Sequence, residues 1–240
     1  TGYDYAGFGV FADWRDGRGP RPEGRYYGLV FCPDCLATDP RPYFRRTWRL
    51  AWSVVCVKHG IVLQDRCYRC GHPIGFGRAT RGGGPVRRPV VDRILRCAKC
   101  DAYRDDAPRV AASPNEVEHQ RARDVVLQKK IAKLPHVAGS AAAPNYFAML
   151  HSLCNRLSGP KSQDLEFQSA AYQWAHVRFA KPDWYTISHR VTSLTLPARR
   201  PALHVATAIL AGWPHSFTEI LWRLPNGPAV AADAFSFSGW

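Results

Sequence analysis

The chain has 240 residues and a formal charge of +14, with Lys+Arg 33 against Asp+Glu 19. Its 46% hydrophobic content and eight tryptophans exclude a disordered polyelectrolyte. No uninterrupted apolar run approaches the ~18 residues of a membrane span, so no membrane partner is expected.

Residues 1–26 are rich in Gly, Arg and Pro with aromatic punctuation, and read as an N-terminal lead-in. The start Thr1-Gly2-Tyr3-Asp4 has neither the basic opening nor the apolar core of a signal peptide. It also lacks an initiator Met, which suggests an internal fragment or a processed chain. A cytoplasmic, nucleoid-associated bacterial protein is the expected setting.

Residues 27–110 hold the most specific pattern. Four ligand pairs share one spacing: Cys32-Pro-Asp-Cys35, Cys56-Val-Lys-His59, Cys67-Tyr-Arg-Cys70 and Cys97-Ala-Lys-Cys100. They use seven of the eight cysteines. Eight soft ligands satisfy two tetrahedral Zn2+ ions. With four protein ligands each, such ions have no open position for water or substrate and serve the fold. Taken in chain order, Cys32, Cys35, Cys56 and His59 bind one ion, and Cys67, Cys70, Cys97 and Cys100 the other. A cross-braced arrangement, pairing first with third and second with fourth, satisfies the same spacing. His72 offers a substitute ligand, and disulfides are the rival use of the cysteines; CxxC pairs in an intracellular chain favour metal.

The residue after a knuckle often needs positive φ, which Gly supplies and Asp tolerates. Gly60, Gly71 and Asp101 sit there, and Leu36 departs. The stretch Val54 to Leu63 reads as a β-hairpin with its knuckle at the tip. Cys154, the eighth cysteine, falls on an apolar helical face and reads as a small buried hydrophobe.

Arginine dominates the first part of the chain: 18 of the 20 Lys+Arg in residues 1–110 are Arg. Seven metal-bound thiolates and two divalent ions reduce the net charge only to +11. The planar guanidinium fork suits phosphate, so DNA is the expected partner. Arg78, Arg81, Arg87, Arg88, Arg93 and Arg96 crowd the loop between the third and fourth knuckles, and Arg45 and Arg46 lie among Tyr43, Phe44 and Trp48. Those aromatics can stack on bases; alternatively Trp48, Leu50 and Trp52 pack beneath the hairpin.

From residue 111 to 240 the pattern is helical. Ser113-Pro114-Asn115-Glu116 is a capping box with Pro at the first helical position, opening a helix to about Leu134. Phe147, Leu150, Leu153, Cys154 and Leu157 make an apolar stripe that ends before Gly159-Pro160. A helix is expected over 163–179 and another from Ala202 to Ala211, with Pro201 at its start. Gly212-Trp213-Pro214 breaks it, and Phe217, Ile220, Leu221 and Leu224 mark the next. The last pair has the outline of a helix-turn-helix, with His215, Ser216, Thr218, Glu219, Trp222 and Arg223 as outward groups. One Arg and one Glu serve phosphate poorly, which favours ordinary packing. The expected fold is mainly α with small β: two tandem zinc ribbons followed by a helical domain.

No phosphate loop, HExxH, GxSxG or deaminase signature is present. Asp105-Asp106 offers a divalent-ion site of nuclease type, though a solvated turn is the commoner use. No catalytic residue is expected.

The run Cys32-Pro-Asp-Cys35-Leu36, Pro42-Tyr43 with Arg45 and Arg46, Trp48, Cys56-x-x-His59-Gly60, Leu63, Cys67-x-x-Cys70-Gly71-x-Pro73-Ile74 and Cys97-x-x-Cys100 resembles the TniQ/TnsD family of transposon target selectors. Gly212-Trp213-Pro214 with Phe217 resembles that family's helical region. The resemblance implies a non-catalytic adaptor that links target-site recognition to an AAA+ ATPase, and through it to the transposase. In some such systems a CRISPR RNA-guided complex supplies the target and the adaptor docks on it, in some as a homodimer. The eight zinc ligands carry over one for one. A zinc-ribbon transcription regulator is the alternative class, followed by a nuclease using Asp105 and Asp106 and by a pure protein scaffold.

Overall fold

The computed structural model describes residues 29–74, 90–134, 140–159, 162–178, 191 and 194–225. Among these the protein is mainly helical, with two small two-stranded antiparallel sheets. The chain forms two compact units that divide at Asp124 and Val125.

In the first unit, helix α1 (Pro33–Thr38) opens on Cys32, whose Sγ accepts from the Cys35 amide at 3.4 Å. Pro33 fits the first turn, where its missing N–H costs no helical bond. Phe31 and Gln64 exchange backbone bonds of 2.9 and 2.8 Å, fastening the entry of α1 to the end of the hairpin. A 3-10 turn (Arg46–Arg49) follows, and Trp48, Leu50 and Trp52 are all buried. Strands β1 (Val55–Cys56) and β2 (Ile61–Val62) pair with Cys56 opposite Ile61, and Leu63 N–H donates to Val54 C=O at 3.0 Å. The expected hairpin is therefore present, with the second knuckle at its tip. Segment 110–112 runs along β2, through Val62 N–H to Val110 C=O at 2.8 Å and Ala112 N–H to Gly60 C=O at 2.9 Å. Helix α2 (Val90–Leu95) leads into the fourth knuckle.

Helix α3 (Pro114–Lys129) starts on the expected capping box. Ser113 N–H donates to Glu116 Oε2 at 2.9 Å, and Glu116 N–H donates to Ser113 Oγ at 3.3 Å. Gln120, buried on its inner face, accepts from Val54 N–H and from Arg123 Nη2, each at 3.1 Å, and donates to Asp124 Oδ1 at 3.0 Å. Burial holds the Asp124 carboxyl above its ordinary range. One amide side chain thus satisfies three polar groups beneath the hairpin. Gln120→Ala is expected to cost about 1–3 kcal/mol, because the Val54 amide loses its acceptor. Urea unfolding of the metal-loaded protein measures this, and a loss below about 0.5 kcal/mol refutes it.

The expected end of α3 near Leu134 is corrected. Lys130 adopts φ 59°, and Ile131–Ala132 leaves the helix as strand β3, paired with strand β4 (Ala141–Ala142). Pairing Ile131 with Ala142 satisfies backbone groups that a longer helix would have used internally.

In the second unit, helix α4 (Ala143–Ser158) packs against helix α5 (Ser162–Trp174) and helix α6 (Leu196–Ala211). Its buried side includes the whole predicted stripe: Phe147, Leu150, Leu153, Cys154 and Leu157. Gln168 Nε2 donates to Arg156 C=O at 2.6 Å and Gly159 C=O at 2.7 Å, capping the carbonyl end of α4 from α5. Helix α5 stops at Trp174, short of the expected 179, because His176 takes φ 52°. Helix α6 starts six residues before Ala202, the expected first residue. The Thr195 side chain accepts from Ala198 N–H at 3.3 Å and caps a first turn that tolerates Pro197. Pro201 is therefore inside the helix.

Helix α7 (His215–Trp222) packs against α5 and α6, burying Phe217 and Ile220. Three of the side chains read as outward are engaged locally. Ser216 Oγ donates to Ile209 C=O at 2.6 Å, Thr218 Oγ1 to Pro214 C=O at 3.1 Å, and Glu219 accepts from Trp174 Nε1 at 2.7 Å. No described helix is long and apolar enough to cross a membrane.

Candidate metal centres

Four knuckles share one local design. The backbone N–H of the residue after each pair bonds back to the carbonyl of the first ligand: Leu36 to Cys32 at 3.2 Å, Gly60 to Cys56 at 2.8 Å, Gly71 to Cys67 at 2.9 Å, and Asp101 to Cys97 at 3.1 Å. Gly60, Gly71 and Asp101 take φ values of 64°, 66° and 63°. Leu36 is the exception because its knuckle continues into α1, so a right-handed residue is required there. An added Cβ at Gly60 meets nothing within 4 Å, which leaves backbone strain as its whole effect. Gly60→Ala is expected to lower stability by about 1–2 kcal/mol and Gly60→Asn by less, read as thermal midpoints of the loaded protein. Equal midpoints for the parent chain and the Gly60→Ala variant refute the assignment.

These turns bring the eight ligand atoms into two groups, Cys32, Cys35, Cys56 and His59, and Cys67, Cys70, Cys97 and Cys100, each group lying within 4.8 Å. The pairing is sequential, not cross-braced, and His72 stands outside both. In the first group, His59 Nδ1 lies 3.4 Å from Cys32 Sγ, 3.3 Å from Cys35 Sγ and 3.6 Å from Cys56 Sγ. Cys35 and Cys56 sulfurs are 3.6 Å apart. In the second, Cys67 and Cys100 are 3.6 Å apart, and Cys70 and Cys97 3.7 Å. A tetrahedron with zinc–sulfur bonds of about 2.3 Å and zinc–nitrogen bonds of about 2.0 Å has S–S edges near ~3.8 Å and S–N edges near ~3.5 Å. The donors fit that figure, while a disulfide would draw two sulfurs to about 2.05 Å. Each group can hold a zinc ion.

Without metal, crowded thiols share protons unevenly. Burial pushes the Cys35 thiol up to about 11 and Cys70 up to about 12. The Cys32 thiol pulls Cys56 down to about 5, and the Ala102 amide pulls Cys100 down to about 7. Metal entry therefore displaces the remaining protons. The groups differ in access: Cys32, Cys35 and Cys56 are buried, whereas Cys70 and Cys100 are half-buried.

The other candidate residues are dispersed. Arg78, Arg81, Arg87 and Arg88 lie outside the described residues, as does the Arg93 side chain. Arg46 is exposed. Arg45 bonds Asp39 at 2.7 Å and lies 5.0 Å from the Tyr43 ring and 4.9 Å from the Trp48 ring. Arg96 bonds Asp101 at 3.0 Å and covers the Tyr103 ring at 3.9 Å. Asp105 and Asp106 join no third metal-binding side chain among the described residues. Sequence reasoning passed over Arg104, a buried guanidinium just beyond the fourth knuckle.

Compared with known families, residues 12–63 match TniQ. Over that segment the chain is similar to the TniQ family. The TniQ segment covers under a quarter of the chain. It contains all four ligands of the first centre and ends before Cys67. It also reaches upstream into the Gly- and Arg-rich lead-in. No curated protein and no solved structure matches the chain.

Proposed function

We propose that the chain is a non-catalytic, zinc-stabilised adaptor in DNA transposition, linking target-site recognition to an AAA+ ATPase and through it to the transposase. The TniQ match, laid over the segment that builds the first metal centre, carries this reading. Saturated four-ligand shells support a structural use of the metal, since neither centre keeps a position for substrate. DNA phosphate is met by Arg46 and by Arg78, Arg81, Arg87, Arg88 and Arg93. Arg45 and Arg96 already hold internal partners, so their share in that contact is smaller. Helical surfaces after residue 111 receive the protein partners, which include an RNA-guided complex or a second copy in systems that use one.

The test joins the purified chain, duplex DNA, ATP and a transposition AAA+ ATPase from the same source. The chain is expected to bind duplex weakly, with affinity falling steeply with salt, and to retain the ATPase on DNA in co-sedimentation. Tight binding to one promoter without any ATPase recruitment overturns the adaptor reading in favour of a transcription regulator. Magnesium-dependent plasmid cleavage abolished by Asp106→Ala overturns the non-catalytic part.

A further inference from the structure

The two metal centres leave different charges to be balanced. Three thiolates and a neutral imidazole around a divalent zinc carry one net negative charge, and four thiolates carry two. Net charge taken out of water is costly unless an opposite charge lies close by. A metal site is therefore completed by the groups just outside its ligands.

Cations stand near both centres: Arg45 and Lys58 at the first, and at the second Arg104, together with Arg66, whose Nη1 donates to Gly71 C=O at 3.2 Å. Arg45 is tied to Asp39, whose own amide donates to Cys35 C=O at 3.1 Å, so it is anchored through the end of α1 to the carbonyl of a first-centre ligand. Lys58, inside the second knuckle, reaches the same carboxylate at 3.5 Å. Two cations thus face one carboxylate and a centre of one negative charge. Arg104 is 3% exposed, two residues beyond Ala102, whose carbonyl receives the Cys97 amide at 2.9 Å. Its backbone N–H donates to Leu95 C=O at 2.7 Å and its Nη1 to Ile94 C=O. Burial lowers the Arg104 pKa, and the Cys97 and Cys67 thiolates oppose that effect; Cys35 acts on Arg45 in the same sense.

Aromatic rings hold both guanidinium groups. Arg45 lies over Trp48, Trp48 meets Phe44 edge-on at 6.1 Å, and Phe44 lies 5.7 Å from Arg104. The Tyr43–Trp48 run thereby stacks on the protein's own cations.

We propose that Arg45 and Arg104 are positioning residues of the metal centres, each supplying the outer counter-charge that lets its cage hold zinc. The inference rests on the zinc reading, and the experiment separates the two. Zinc affinity of the full chain is measured against a chromophoric chelator, and cadmium-113 NMR distinguishes the four-sulfur from the three-sulfur, one-nitrogen site. Arg104→Gln keeps a donor for Ile94 C=O and removes the charge; Arg104→Lys keeps the charge. The glutamine variant is expected to lose on the order of 10- to 100-fold in affinity at the four-sulfur site alone, with the lysine variant much closer to the parent. Arg45→Gln is expected to act on the other site. Unchanged affinity in Arg104→Gln overturns the inference, as does an equal fall in the lysine variant, which marks a packing role. If Arg104→Gln does not fold, the lysine variant decides: retained affinity supports the charge role and lost affinity ends it. A parent chain holding far fewer than two zinc equivalents sinks the zinc reading itself.

Discussion

Removal of both metal ions with a chelator is expected to unfold the first unit while helices α4 to α7 remain formed. The first unit has little regular structure to fall back on apart from the start of α3 (Pro114–Asp124): α1 and α2 are six residues each, and the hairpin strands are two residues each. Hairpins of that size do not hold themselves in water. Structural zinc contributes on the order of 10 kcal/mol or more per site, comparable with the whole stability of a typical domain. Hydrogen exchange read by mass spectrometry gives the answer segment by segment. Peptides spanning 54–63 should lose protection on chelation, while those spanning 146–157 keep it. Cys56→Ser should reproduce the loss and lower the zinc content by one equivalent. Persistent protection of the Val62 and Leu63 amides in the metal-free protein would remove zinc from the list of forces that hold this fold.

Phe147→Ala is expected to have the converse effect. Phe147 is fully buried on α4, in edge contact with Tyr146 at 5.3 Å between ring centres. Truncation removes the transfer energy of a benzyl group and opens a cavity among Leu150, Leu153 and their neighbours, about 3–5 kcal/mol together. Against a domain stability of about 5–15 kcal/mol, that is enough to leave the second unit partly unfolded near its former working temperature. Two zinc equivalents should still be bound. A variant that lost its zinc along with its helical signal would show that the metal centres depend on the helical unit.

Both metal centres were legible in the amino-acid sequence because a tetrahedral cage imposes a strict local rule. Each knuckle needs two ligands three positions apart and a backbone turn after the second, so Gly60, Gly71 and Asp101 announce it. Leu36 looked like a fault and is a continuation, since it makes the same bond to the Cys32 carbonyl within a helix, where right-handed backbone serves. Helix ends were less legible. Lys130 carries no mark of its left-handed conformation, and the exit of the chain after Lys129 depends on Ala142, eleven positions beyond Ile131, as a pairing partner. The start of α6 was obscured by Pro201, which read as the helix opening until Thr195 is seen capping an earlier turn that already contains Pro197. Charge alone was ambiguous at Arg45. An arginine among aromatics suits both a nucleic acid and the interior of its own protein, and composition does not separate the two. For Arg45 the partners were Asp39, Tyr43 and Trp48, all within six residues of it.

Cys154 is fully enclosed on α4, remote in sequence from the seven cysteines that line the cages. A maleimide added to the native, metal-loaded protein therefore meets two kinds of shielding, coordination at seven sulfurs and steric enclosure at one. Mass increments on the intact polypeptide become a two-channel gauge, in which three or four adducts register one emptied cage, seven register both, and the eighth registers an opened helical core. A freezer-aged or misassembled preparation can be diagnosed from one spectrum.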